Sequence, residues 1–389
     1  MHTGERRKKW SQKPKNKNIR KAGQVKVMVL NFQSVNNKVA ELAICLDSHQ
    51  PDVLIGTESW LSAGVSNSEI FPPDYSVIRK DRPPNVKGQS HGGIFIAVKN
   101  DLIFSHRADL DVDCEILWIQ LELVNTKNIL IGAFYRPPDS GSDVLDLMQQ
   151  SLSKIDLSKG PQIWLAGDFN LSHIEWDSQS TLPGCQKPGL CRQLIEISND
   201  FGLDQVVKYP TRGDNILELF FTTNSSLVEK TRVLPGMSDH NGIPLITIDT
   251  KPKTNKTKPR RVFQFFKADW SSIKHDLAEI SSDFCDIVPD LVSANELWMD
   301  FKNRIQETTE KNVPSRLVSG GKKLPWVDHK VKNALRHKHK AYNKARASNS
   351  TEDWEIFRSL RKHVNRLTRS KYRSYIRDVC AESNKNFGL

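Results

Sequence analysis

No stretch of this chain approaches the ~18 consecutive apolar residues that a membrane span requires, and its basic N-terminus is not followed by an apolar signal core. A membrane partner and a secreted destination are therefore not expected; the chain reads as intracellular. Cysteine is scarce, with six residues at 45, 114, 185, 191, 285 and 380, and no C-x-x-C pair among them. That spacing supports neither a disulfide framework nor a structural zinc site, and reduced thiols are the plain expectation. Tandem repeats are absent as well. What is present is enough apolar material, 38% against 26% charged, to build a core and exclude wholesale disorder. At 389 residues the chain has room for two to three domains.

Charge is distributed in blocks. Residues 1–26 carry ten Lys/Arg against one acid, residues 27–250 carry 17 against 28, and residues 251–389 carry 30 against 16. An acidic unit between two basic arms suits a metal-binding or catalytic core whose flanks meet a polyanion; the bland alternative is a solvated basic surface. Residues 1–24 lack apolar periodicity and read as a basic disordered arm. Structure is expected from Val25, where VKVMVLNF has the β-branched character of a buried strand. Further strands are expected at 52–58, 75–79, 93–98, 115–123, 128–135, 162–169, 216–222 and 242–248, with helices at 37–49, 143–155 and 188–201. This pattern predicts an α/β domain with mixed sheets over 25–250. The Lys/Pro-rich stretch 251–262 reads as a basic linker. Beyond it, residues 263–389 read as a helical basic region, with Trp354, Phe357, Leu360, Val364, Leu367 and Tyr375 forming one stripe on a long helix.

Five short motifs carry candidate chemistry. Gly167-Asp168-Phe169-Asn170 ends an apolar strand, and a strand delivers side chains two apart to the same face, so Asp168 and Asn170 can orient a water together. Ser238-Asp239-His240-Asn241 places a carboxylate beside an imidazole just before a strand, as a metal ligand or general base next to a phosphate-binding group requires. Glu58 closes the strand DVLIGTE, Asn31 closes the first strand, and Tyr135-Arg136-Pro137-Pro138 closes NILIGAFY. Each alone reads equally well as a turn, a cap or a solvated strand end.

Their order is more specific than any one of them. Asn, then Glu, then Tyr before Pro, then Gly-Asp-Phe-Asn, then Ser-Asp-His resembles the endonuclease/exonuclease/phosphatase superfamily. Within it, NFQSVNNK (31–38), LIGTESWL (54–61), GGIFIAVK (92–99), FYRPP (134–138), AGDFN (166–170) and MSDHNGIP (237–244) resemble the endonuclease domain of jockey-like non-LTR retrotransposon polyproteins. The resemblance implies two packed mixed β-sheets flanked by helices, a four-layer α/β sandwich, followed by a mainly helical C-terminal region. It also implies a metal-dependent endonuclease acting on DNA. Glu58, Asn31 and Asp239 would serve Mg²⁺, with Mn²⁺ as an alternative. Asp168 would activate water, Asn170 hold water or phosphate, His240 donate to phosphate, and Tyr135 contact phosphate or leaving group.

Two departures stand out. Where the family carries an Asp that bonds the catalytic imidazole, this chain has Glu218, one methylene longer; a poorer hold on His240 and a weakened enzyme are expected. Gln33 replaces an Asp of the apurinic-site enzymes, which retroelement members commonly lack. Pro325-Trp326 and the basic helical stretch after it resemble the segment that precedes a reverse transcriptase. No F/Y-x-D-D signature occurs within the 389 residues, which reads as an element truncated before its polymerase. A nuclear monomer is expected, with RNA as a second polyanion for the basic helices. The competing readings are a catalytically weakened nucleic-acid-binding remnant and a phosphatase or sphingomyelinase of the same superfamily. Basic arms favour a polymeric phosphodiester over a small substrate.

Overall fold

The computed structural model describes residues 23–85, 91–238, 240–255, 260–285, 293–318 and 324–386. It divides the chain into two compact units, one made of residues 1–255 with 323–389, the other of residues 256–322. The first unit begins with β1 (Gln24–Asn31), α1 (Val39–His49), β2 (Val53–Thr57), α2 (Asn67–Ile70), β3 (Tyr75–Lys80), β4 (Ile94–Lys99) and β5 (Phe104–His106). It continues through β6 (Ile116–Leu121), β7 (Ile129–Tyr135), α3 (Asp143–Ser153), β8 (Gln162–Asp168), β9 (Ile174–Glu175), β10 (Ser180–Thr181) and α4 (Pro188–Asp200). The strands β11 (Asp204–Gln205), β12 (Glu218–Thr222), β13 (Val228–Pro235) and β14 (Gly242–Asp249) complete its sheets. The second unit comprises β15 (Arg260–Phe263), α5 (Trp270–Cys285), α6 (Ala294–Asn312) and β16 (Ser315–Val318), the two strands pairing antiparallel. Two further helices of the first unit follow, α7 (His329–Ser348) and α8 (Thr351–Asn386).

Two six-stranded sheets are formed, in the orders β13-β14-β1-β2-β4-β3 and β11-β12-β8-β7-β6-β5. Each has one parallel pair, β1 with β2 and β7 with β8, and is otherwise antiparallel, so both sheets are mixed. The alternation of side chains along a strand sorts the core into layers. On β1, Val25, Val27 and Val29 enter the core between the sheets, while Met28 and Leu30 pack outward under α1. On β8, Trp164 and Ala166 face inward, whereas Ile163 and Leu165 join α3 and α4 on the outer face. Strands buried on both faces explain why these segments read as continuous apolar runs. The outcome is the expected four-layer sandwich of helix, sheet, sheet and helix.

The strand and helix positions expected from sequence are met closely, with one long omission, β13. Its first five residues, VEKTR, are exposed or half-buried, and only Val233, Leu234 and Pro235 are buried. Five exposed or half-buried residues followed by three buried in a row leave no period-two alternation to read. Cys185 and Cys191, too far apart for a C-x-x-C pair, bring their Sγ atoms to 3.5 Å.

The expected domain boundaries need correction. Residues 1–22 of the basic arm lie outside the described residues, as do 256–259 of the linker. The start of the linker is tied to the sandwich, because Pro252 bridges Leu123 and Thr254 bridges Leu102. Residues 263–389 are not one region either: α5 and α6 belong to the second unit, while α7 and α8 belong with the sandwich. Tyr342 and Ala345 of α7 and Phe357 of α8 pack on Val233 of β13, and Arg369 of α8 meets the buried Glu41 of α1 at 2.7 Å. Among the described residues no helix is long and apolar enough to cross a membrane.

Candidate active site

The same alternation that builds the inter-sheet core also assembles the site. Asn31 follows Val25, Val27 and Val29 in step, Asp168 follows Trp164 and Ala166, and Tyr135 follows Ile129, Ile131 and Ala133. Glu218 is two residues before the inward Phe220. Each polar residue thus stands at the end of an apolar inward row, and register brings the ends together. Tyr135 pairs with Asp168 across β7 and β8, and Glu218 pairs with Asp168 across β12 and β8.

One hydrogen-bonded group and one close carboxylate–imidazole pair result. In the first, Asn31 Nδ2 donates to Glu58 Oε1 at 2.8 Å and to Asp168 Oδ2 at 2.7 Å, while Tyr135 Oη donates to Glu58 Oε1 at 3.0 Å. Asp168 Oδ1 also accepts from the Asn170 backbone N–H at 3.0 Å, and Asn170 Nδ2 donates to the Arg136 carbonyl at 2.8 Å. In the second, the Glu218 carboxylate closely contacts His240 Nδ1, both side chains being buried. Asp168 joins the two: one oxygen of Asp168, one of Glu218 and one ring nitrogen of His240 all lie within 4.8 Å of each other. Glu218 therefore reaches the imidazole despite its extra methylene, which removes the geometric reason for expecting a poor hold on the ring.

The electrostatics are lopsided. Two buried carboxylates, of Asp168 and Glu218, gather around the His240 imidazole, and a third, of the half-buried Glu58, is linked to Asp168 through Asn31. Burial, and then the neighbouring Glu218 charge, push the Asp168 carboxyl up to about 7, against the opposing pull of His240 and Asn31. Burial with the charges of Glu58 and Asp168 drives the Tyr135 phenol well above its usual range, so it is a neutral donor. Hard oxygen donors with excess negative charge are what a small divalent cation needs, so the residues present fit one.

Backbone strain marks the same rim. Glu58, Trp60, Gln33, Ser34 and Asn170 all have positive φ, between 43° and 73°. Such conformations cost roughly 1–3 kcal/mol each and persist only where the surroundings hold them. Here the Ser34 N–H donates to the Glu58 carbonyl, the Val35 N–H to Ser59, and the Trp60 N–H to Gly92, at 2.9–3.0 Å.

Of the residues singled out from sequence, Asn31, Glu58, Tyr135, Asp168, Asn170, Glu218 and His240 converge here, while Asp239 lies outside the described residues. Sequence reading missed Arg82 and Glu115. The Arg82 guanidinium lies 5.6 Å from the Tyr135 ring centre and forms a close pair with Glu115, which also accepts from the Gly93 N–H at 2.7 Å. Nothing in the local sequence of either residue signals this pairing. Ser238, seen only as part of a motif, donates its hydroxyl to the Asn31 carbonyl at 3.0 Å.

Two mixed sheets flanked by helices, with this cluster at their strand ends, match the fold expected of the endonuclease/exonuclease/phosphatase class. The chain matches the model of the endonuclease-reverse transcriptase family over residues 129–244. It is similar to the RNA-directed DNA polymerase from mobile element jockey of Drosophila melanogaster, with 24% identity over 160 residues. That match covers 41% of this chain and only 16% of the relative's length. Among solved structures it is similar to the endonuclease domain of TRAS1, a telomere-specific non-LTR retrotransposon, at 17% identity and a TM-score of 0.46, over 59% of this chain and 99% of that one. It is also similar to AP endonuclease LMAP from Leishmania major, at 14% identity and a TM-score of 0.47, over 58% of this chain and 88% of that one.

Proposed function

We propose that the chain is a Mg²⁺-dependent phosphodiesterase that nicks DNA. The observation that carries this reading is the junction of the Glu58–Asn31–Asp168 network with the Glu218–His240 pair at one end of the inter-sheet core. Phosphodiester hydrolysis needs a base for the attacking water and neutralisation of charge on the phosphoryl oxygens. Asp168, held by Asn31 and the Asn170 amide, takes the proton from water. Asn170 positions that water or the phosphate. His240, whose Nδ1 faces Glu218, donates through its other ring nitrogen to a phosphate oxygen. Tyr135, kept neutral, gives its single O–H to Glu58 in the free site and would turn it to the phosphate or leaving group once substrate is bound. Glu58 and Asn31, with Asp239, would hold the cation, which when bound draws negative charge from the scissile phosphate. The basic content of the chain suits a polyanionic substrate, and chromosomal DNA as that substrate implies work in the nucleus. The remnant reading rested on Glu218, and its close contact with His240 weakens it.

The metal assignment has its own test. Glu58→Gln keeps an oxygen for both the Asn31 and Tyr135 bonds, so folding is retained, but a neutral amide is a poor ligand for a hard cation. The Mg²⁺ concentration for half-maximal nicking is expected to rise at least about tenfold, a ligand loss of ~1.4 kcal/mol. An unchanged titration would move the cation away from Glu58, with Asp239 next to be replaced.

Glu218 gives a second test. Because it already touches the ring, Glu218→Asp withdraws the carboxylate and Glu218→Gln removes its charge. Each is expected to slow nicking about 10- to 100-fold, the worth of one charged hydrogen bond. A faster Glu218→Asp variant would restore the view that Glu218 is a damaged substitution.

A further inference from the structure

The loop that carries His240 is gripped from outside the sandwich. Arg361 of α8 donates through Nη1 to the Ser238 carbonyl at 2.7 Å and to Asn241 Oδ1 at 2.9 Å, so one guanidinium spans the residues on either side of His240. Ser238 in turn ties its hydroxyl to the Asn31 carbonyl and accepts from the His240 N–H at 3.3 Å. The loop is closed behind by the Gly236 N–H donating to the Asn241 carbonyl at 2.7 Å. A side chain at Gly236 would strike the His240 carbonyl, its Cβ lying 1.8 Å away, so the turn has one way to fold.

Arg361 sits where an apolar residue is expected. The face of α8 turned to the sandwich runs Phe357, Arg361, Val364, Thr368, of which all but Arg361 are buried and Arg361 is half-buried. A long cation in that row is wasted on packing but well placed to reach carbonyls. The helix is pinned on both sides of it, by Phe357 against Tyr342 and Val233 and by Arg369 against Glu41.

We infer that the α7–α8 hairpin is a positioning element of the active site, and that Arg361 is the positioning residue that fixes the loop bearing His240. The inference rests on the nuclease reading of that loop. In its described contacts Arg361 acts through Ser238 and Asn241. The basic character of this helix is then partly structural, serving the site's geometry in addition to any polyanion.

The test uses the full chain with Arg361→Ala, Arg361→Lys and, as a charge-matched control on the exposed face of the same turn, Lys362→Ala. Two readouts are taken: amide exchange by mass spectrometry over residues 236–242, and kcat and KM for plasmid nicking as a function of salt. Arg361→Ala is expected to speed exchange in the loop about tenfold while leaving α7 and α8 unchanged. It should lower kcat about 10- to 100-fold, as expected when a reacting group drifts by an ångström. KM and the salt slope should hold, and Lys362→Ala should keep kcat within about twofold. Arg361→Lys, which can give two N–H groups from one nitrogen as Nη1 does but is shorter and lacks the planar guanidinium, should recover part of both losses.

Unchanged loop exchange would overturn the inference. So would faster exchange throughout α7 and α8, which would make Arg361 a docking residue only. A rise in KM with a salt slope reduced by about 1 would overturn it too, by making Arg361 a DNA contact. A wild-type chain that never nicks would sink the nuclease reading instead, and the exchange readout would still report whether Arg361 holds the loop.

Discussion

Asp168→Asn is expected to abolish detectable nicking while the protein stays folded. In the proposed mechanism its carboxylate takes the proton from the attacking water, and loss of such a group costs about 10²–10⁴ in rate. Folding is spared because the substitution removes an unfavourable buried charge and keeps the shape. The amide can still accept from Asn31 or from the Asn170 N–H, losing one bond of ~1 kcal/mol. The pH dependence follows from the sign of the shift. Burial and Glu218 raise the Asp168 pKa from 3.8 in the unfolded chain to about 7 when folded. The folded state thus resists ionisation, and the wild type loses stability from this group as pH rises from about 4 to about 7. In metal-free buffer, the melting temperature of Asp168→Asn minus that of wild type should therefore grow across that window and level off above it. A flat difference would mean Asp168 is not held protonated by its surroundings, and a variant keeping a tenth of wild-type nicking would remove it from the role of base.

Gly167→Ala is expected to unfold the sandwich at a much lower temperature. Gly167 has φ near 152°, and its ideal Cβ would lie 1.8 Å from the Phe134 carbonyl oxygen, opposite it in the parallel β7–β8 pair. No side chain can relieve a clash with backbone; the strand itself must move. Destabilisation above about 4 kcal/mol is the range for such steric conflicts, which for a domain of this size is about 10 °C. A drop of less than about 3 °C would contradict the register that places Asp168 beside Tyr135.

How far the sequence reveals this arrangement depends on the range of the interaction concerned. Period-two alternation is local, so Val25-Val27-Val29-Asn31 and Trp164-Ala166-Asp168 announce both the strand and the polar residue at its inner tip. Glu58 was legible as the acid closing the strand DVLIGTE, but alternation puts it in phase with the outward Leu54, and the left-handed backbone that redirects it was not legible. Glu218 was visible as an unusual residue, but whether its longer chain could still reach His240 required the register of β12 against β8. The edge strand β13 escaped because half of it faces water. Arg82 with Glu115, and Arg361 with Ser238, are contacts between segments distant in sequence whose cations look like any others in a basic stretch. Division of the C-terminal region escaped as well: the amphipathic stripe on α8 shows that the helix packs, not what it packs against.

The central claim is that these residues form a metal-dependent DNA-nicking site. It is tested most directly by incubating the purified full chain with supercoiled plasmid across a Mg²⁺ titration, with an EDTA control and with His240→Ala in parallel. Conversion to open circles that requires Mg²⁺ and is lost in His240→Ala is the predicted result. Nicking that persists in EDTA, or survives undiminished in His240→Ala, or is absent from the wild type in both Mg²⁺ and Mn²⁺, would contradict it.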